Sequence, residues 1–348
     1  MGMPITRVSN GEARVREDRF TTRCKDRADQ FPYWRDLLAP VAEAERTAAF
    51  DRGFRASVRA HDMGALHIAS VHVDAMKYRR TSQHIRRTEI DHWQLVLRKR
   101  GTEVSRSGNC VLRSTAGSLD LRSYGHPSIS NASTGSLICI WMSRDNFSTL
   151  SGAIDAANHT PFRGAMKNIL EEFILSLDRH RASLTVRDVP DVVRSFTALF
   201  SAAIRPTRQG FDEASMPISA SLFELARKHI NANLSSPTLS ADSLCRELSI
   251  SRRKLYYLFE RCGGVASFIR QRRLAASHIA LETGLDQRRI STIAYDHGFT
   301  DPAQFSRLFR AQYGYSPKEA REARMFGSLP DHTAPKTFAE WLLQVRDK

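Results

Sequence analysis

The sequence predicts an α+β protein. An N-terminal β-barrel or sandwich with flanking helices precedes an all-α domain that holds two helix-turn-helix units. Three observations lead there. Short apolar runs with period two, punctuated by glycine, occupy residues 66–141. Helical spacing returns over 164–204. A pattern of two helical hairpins then repeats about fifty residues apart between 239 and 317.

Residues 1–27 are polar and arginine-rich without periodicity, and read as a flexible tail. From Phe31 to Phe50, apolar residues recur at helical spacing (Phe31, Trp34, Leu37, Leu38, Val41), which predicts a helix opening the first domain. Strands are expected over 66–73, 93–97, 103–105, 109–112, 118–121 and 137–141, with glycines marking the turns. Over 164–204, one stripe is Ile169, Leu170, Phe173, Ile174 and Leu177. A second and wider one runs Val189, Val192, Val193, Phe196, Leu199, Phe200, Ala203 and Ile204, with Asp188 or Asp191 to cap it. Together 28–204 make the first domain. Residues 205–217 are polar, with two prolines and a glycine, and read as a linker.

The second domain covers 218–325. Its opening helix should turn Leu222, Leu225 and Ala226 inward. In the first helical pair Leu244, Cys245 and Leu248 face inward, Ser249-Ile250 turns, Ser251 caps, and Leu255, Leu258 and Phe259 form the next stripe. In the second pair Ile290, Ile293 and Ala294 face inward. Gly298 stops the helix, Asp301 caps, Pro302 takes the first helical position, and Phe305, Leu308 and Phe309 form the stripe. A helix over 265–281 joins the pairs. At about 100° per residue, these stripes send Arg253, Tyr256, Tyr257 and Glu260 outward from the first pair. The second pair presents Ala303, Ser306, Arg307 and Arg310, with Gln304 on the flank. Arginine, glutamine and tyrosine are side chains that read base edges or hold phosphates. Residues 326–348 lie beyond this pattern. Phe338, Trp341, Leu342 and Val345 have amphipathic helical spacing there, with no role assigned.

Composition agrees with a globular protein: 41% of residues are hydrophobic and 26% charged. Lysine and arginine number 52 against 37 acidic residues, a net charge of +15. Residues 218–325 hold 17 basic and 10 acidic residues, so about half of the excess lies on the second domain. Such charge suits nucleic acid, an anionic membrane or an acidic partner, and does not choose among them. Five scattered cysteines without a C-x-x-C pair imply reduced thiols and a cytoplasmic location rather than disulfides or zinc. No apolar signal segment opens the chain. The uncharged run 123–143 carries Gly125-His126-Pro127 and Asn131, which argues against a membrane span. His61, His67, His72, His84, His92 and His126 cluster in the first domain without an H-x-H pair. They read as surface or hydrogen-bonded histidines, with no metal and no cofactor.

Arg273-Leu274, Gly298-Phe299, Phe305-Ser306-Arg307, Phe309, Tyr313-Gly314 and Ser316-Pro317 together resemble the signature of the AraC/XylS transcription regulators. More loosely, His84-x-x-Arg87 followed by Asp91-His92-Trp93-Gln94-Leu95 is similar to the cupin-like regulatory domain of that family. Gly117-Ser118 departs from the family's Gly-Asp. Cys245 stands where alanine is commoner, and Ala303 where a polar reading residue is usual. The resemblance implies two recognition helices in successive major grooves of double-stranded promoter DNA. It also implies a small-molecule effector in the first domain, contact with RNA polymerase, and a homodimer through 188–204. The expectation is a sequence-specific regulator, an activator, with no catalysis. The alternatives are an effector-independent regulator whose first domain only dimerises or binds a protein, and a cupin metalloenzyme fused to a DNA-binding domain. A methyl-accepting repair protein would need a cysteine cluster, and Cys24 stands alone in its region.

Overall fold

The computed structural model describes residues 13–47, 53–87, 90–208, 215–282, 288–313, 315–325 and 341–342. Two compact units emerge. Met1–His84, Ile90–Pro217 and Lys336–Lys348 form the first, and Ile85–Glu89 with Ile218–Pro335 the second.

The chain runs through β1 (Glu17–Thr21), α1 (Gln30–Leu38), β2 (Glu43–Arg46), β3 (Ala56–Asp62), β4 (Leu66–Val73), β5 (Met76–Arg80) and α2 (Ser82–Arg87). It continues with β6 (Trp93–Arg100), β7 (Glu103–Ser107), β8 (Cys110–Ser114), β9 (Leu119–Ser123), β10 (Ser128–Ala132) and β11 (Gly135–Met142). Then come α3 (Ser151–Ala156), α4 (Ala165–His180) and α5 (Val189–Arg208). The strands make two antiparallel sheets, ordered β1-β3-β4-β11-β6-β9 and β2-β5-β10-β7-β8. Each sheet runs from one edge to the other, so the β domain is a two-sheet sandwich.

Period two explains how the larger sheet is buried on both faces. From β11, Ile138, Ile140 and Met142 pack with Leu95 and Leu97 of β6 against Phe196, Phe200, Ala203 and Ile204 of α5 and Leu170 and Ile174 of α4. The alternate residues Leu137, Cys139 and Trp141 face the other way, with Val96, Val58, Val73 and Trp34. A strand covered on both sides reads as a continuous apolar run, and this is why β6 and β11 stand out in the sequence.

Several expectations are corrected. The tail expected over 1–27 contains β1, which pairs with β3 through five residues from Glu17↔His61 to Thr21↔Ser57. The opening helix stops at Leu38 rather than running to Phe50, because Pro40 has no N–H to extend the hydrogen-bond ladder, and 43–46 is a strand. Helix α5 runs on to Arg208 and the next helix starts at Ser215, so helix occupies much of the expected linker. The wide α5 stripe is consumed within the unit: Phe196 and Phe200 are fully buried and stacked, with ring centroids 5.6 Å apart. Ile169 of α4 is exposed.

The second unit is helical: α6 (Ser215–Ala232), α7 (Ala241–Glu247), α8 (Arg252–Phe259), α9 (Val265–Glu282), α10 (Ile290–Asp296), α11 (Pro302–Tyr313) and α12 (Pro317–Met325). It has two small cores. Ala226, Ile230, Leu244, Leu255 and Phe259 close one over Val265, Phe268 and Ile269 at the start of α9. Ile293, Ala294, Phe299, Phe305 and Phe309 close the other over Leu274 and Leu281 at its end. One 18-residue helix, about 27 Å long at 1.5 Å per residue, thus carries both hairpins. Leu225, expected inward, is 52% exposed. Its neighbours Glu224 and Arg227 are buried instead, as an ion pair of 2.9 Å.

Candidate nucleic-acid interface and interior cavity

The two helical hairpins share one turn geometry. Helix α7 opens on a capping box in which Ser240 Oγ accepts from the Ser243 amide and Ser243 Oγ from the Ser240 amide. It ends at Ser249, whose φ of 52° is left-handed, and the Ile250 amide donates back to the Cys245 carbonyl at 3.1 Å. At the end of α10 Gly298 takes φ 78°, and the Phe299 amide donates to Ala294 at 3.0 Å. Ser251 then caps α8 by accepting from the Lys254 amide, and Asp301 accepts from the Ala303 amide ahead of α11. The second turn is one residue longer, since two residues separate Gly298 from its cap but only one separates Ser249 from Ser251.

Gly298 also ties the hairpins together. A Cβ there would lie 2.4 Å from the Leu234 carbonyl and 2.7 Å from Arg273 Nε. That arginine, from the middle of α9, donates to Leu234 O at 3.0 Å and to Ser236 O at 2.6 Å, ahead of α7.

With their stripes buried, α8 and α11 present the remaining residues to solvent. Arg253, Tyr256, Tyr257, Gln304, Arg307 and Arg310 are exposed, Tyr257 at 64%. Neighbouring cations differ in availability. Arg252 is held by both carboxylate oxygens of Asp242, at 2.7 and 2.6 Å, whereas Arg253 and Arg307 have no ion pair among the described residues. Arg310 lies 3.9 Å from Glu319, a loose contact. Lys254 sits 5.7 Å over the Tyr257 ring. Ser306 is half-buried and donates its hydroxyl to the Pro302 carbonyl at 2.9 Å, so its proton is committed to its own helix.

The first unit contains a cavity of about 130 Å³ between its sheets. Its walls combine apolar residues, among them Val58, Val96, Cys139 and Trp141, with an ionic cluster. Glu103 joins both Arg98 and Arg122, and accepts from the Tyr78 hydroxyl. Arg122 also pairs with Asp120 at 2.9 Å. Burial alone would raise the Glu103 carboxyl, but Arg122 and then Arg98 hold it down at about 2. Arg98 is 1% exposed, and its Nε has no hydrogen-bond partner among the described residues. Burial pushes the Cys139 thiol up to about 12, which leaves it unreactive.

Sequence reasoning assigned no cavity residue. The available signal was phase: on β6, Gln94, Val96 and Arg98 all line the cavity, so an arginine shares the face of an inward valine. Of the histidines, His67 and His92 are hydrogen-bonded, within expectation, whereas neither ring nitrogen of His61 has a hydrogen-bond partner among the described residues. His61, His67 and His92 are buried. Among the described residues, no group of three or more His, Cys, Asp or Glu side chains is placed to hold a metal ion. No helix of the described residues is long and apolar enough to cross a membrane.

Comparison with known proteins bears on both units. A family model described as a helix-turn-helix domain matches residues 244–323. The crystal structure of the AraC-like transcriptional activator CuxR is similar over 75% of this chain and 94% of its own, at 27% identity and a TM-score of 0.57. An AraC-type regulator from Chromobacterium violaceum matches 32% of this chain and 95% of its own, at 25% identity and a TM-score of 0.28. ToxT from Vibrio cholerae covers 74% of this chain and 97% of its own, at 14% identity and a TM-score of 0.39.

Proposed function

We propose that this chain is an AraC-type DNA-binding transcriptional regulator whose helices α8 and α11 enter successive major grooves of promoter DNA. Arg253, Tyr256 and Tyr257 meet DNA from α8, and Gln304, Ser306, Arg307 and Arg310 from α11. The observation that supports this reading is the pair of outward arginines, Arg253 and Arg307, exposed and without an ion pair among the described residues, each on the second helix of its hairpin. The two helices read unequally. Ala303 can donate nothing, and Ser306 already donates to its own helix. A good arginine–guanine pair contributes roughly 1–3 kcal/mol of discrimination. Arg253→Ala therefore relaxes base preference at one half-site. Arg307→Ala weakens binding more uniformly across sequences, as a phosphate contact does. Binding-site selection on the wild type and both variants tests this. Wild-type affinity and preference in both would remove the assigned face.

The cavity is the proposed effector site. An apolar cavity of about 150 Å³ takes benzene, so a space of about 130 Å³ suits a single ring or a short chain. The Arg98 Nε calls for an acceptor on that ligand, which favours acids over amines. A thermal-shift screen of small acids, amines and nitriles decides the order. The regulator acts in the cytoplasm and meets RNA polymerase, as the family resemblance implies, and it is an activator, a role that CuxR's description as a transcriptional activator supports by likeness. It performs no catalysis. A homodimer through 188–204 would use the outer side of α5, at Arg194, Ser195 and Ala198, because the apolar stripe is spent inside the unit. Sedimentation of Ala198→Glu against wild type checks it.

A further inference from the structure

Trp341 and Leu342 follow the whole second unit in sequence, yet both are fully buried in the first. Each is held by contacts to the larger sheet. The Trp341 ring meets Trp141 edge-on, with centroids 5.3 Å apart at 89°, and lies 4.6 Å from the His67 ring. The Trp341 carbonyl accepts from His67 Nε2 at 3.1 Å, and the Leu342 carbonyl from His92 Nε2 at 2.9 Å. The three sheet residues form a frame. Trp141 is on β11, His67 is its direct cross-strand neighbour on β4, and His92 immediately precedes β6 on the other side. Buried carbonyls without donors are costly, and here two successive ones each meet an imidazole.

We propose that this frame is a docking site for a Trp-Leu segment, and that its occupant is the chain's own C-terminal segment. Indole edge packing and the apolar surroundings of Leu342 select a bulky aromatic followed by an aliphatic residue, and the paired imidazole donors hold the two backbone carbonyls. The seat also has Trp141 in common with the cavity wall. Filling it makes a second covalent return to the first unit after the second unit, which is thereby tethered at both ends. This inference does not depend on the DNA reading, and its test uses no DNA.

The full-length Trp341→Ala/Leu342→Ala variant empties the seat without altering either sheet. A fluorescein-labelled peptide spanning 336–348 should bind that variant at least about tenfold tighter than it binds the wild type, whose seat is filled. A peptide with the same two alanines should bind neither. His67→Ala added to the emptied variant should weaken peptide binding by about tenfold, with melting curves run in parallel. Hydrogen exchange on the wild type alone should find the amides around 341–342 protected. No peptide binding to the emptied variant, equal binding to both chains, or unprotected amides would overturn the proposal. So would a wild-type dimer that dissociates in the double variant, since a second copy would then fill the seat.

Discussion

Gly298 shows how one missing Cβ sets the relation between two hairpins. Alanine there would need a left-handed φ of 78° and would press on the Leu234 carbonyl and Arg273. Gly298→Ala should destabilise the second unit by about 1–3 kcal/mol, measured by chemical denaturation, and should weaken DNA binding through the displaced Arg273. Glu103 is the residue with the clearest pH signature. Its carboxyl is held at about 2 in the fold against an ordinary 4.5, so it binds fewer protons folded than unfolded. Its stabilisation is present above about pH 4.5 and is lost as pH falls toward 2. A melting series from pH 6 to 2.5 should show this loss. Glu103→Gln should flatten that part of the curve while lowering stability at neutral pH, because Arg98 and Arg122 lose their buried partner.

Among the elements, α8 separates caps from surface charges. Ser251→Ala removes the cap on its first turn and should cost about 1 kcal/mol. Asp242→Asn breaks an exposed pair with Arg252 and should leave the melting temperature unchanged, while releasing one more arginine. Legibility in the sequence followed burial. β4, β6 and β11 carry apolar runs because the larger sheet is covered on both faces, and they were readable. The sequences EDRFT, EAER and MKYRR of β1, β2 and β5 show little apolar alternation, since a charged residue takes a buried place in β1 (Asp18) and in β5 (Arg80), and β2 buries Ala44 alone. Their strand state is set by long-range pairing, which no local window contains. Pro40 was a readable stop that the apolar residues after it overrode. The outward faces of α8 and α11 were legible because helical phase fixes them once Leu255 and Phe305 are inside. The cavity was not, because its Arg98, Glu103 and Arg122 come from three strands brought together only by the sandwich.

At the scale of the whole molecule, 218–325 holds both hairpins, their caps and α9, so this fragment should fold and bind DNA alone. Its affinity should fall steeply with salt, as phosphate contacts require. A fragment that is helical but no better than non-specific would count against the assignment. Lengthening the chain between Arg208 and Ser215 by a few Gly-Ser residues should spare folding and DNA affinity while loosening the response to an effector.

The burial of Trp341 and Leu342 has a bearing on the order of assembly. Protein synthesis is vectorial, and these two residues are made after every helix of the second unit. While the chain is still on the ribosome, the first unit presents Trp141, His67 and His92 with their partners not yet translated. The downstream unit can therefore finish its own two cores before the upstream one completes its core, and the N-terminal half of the protein is the last part to close.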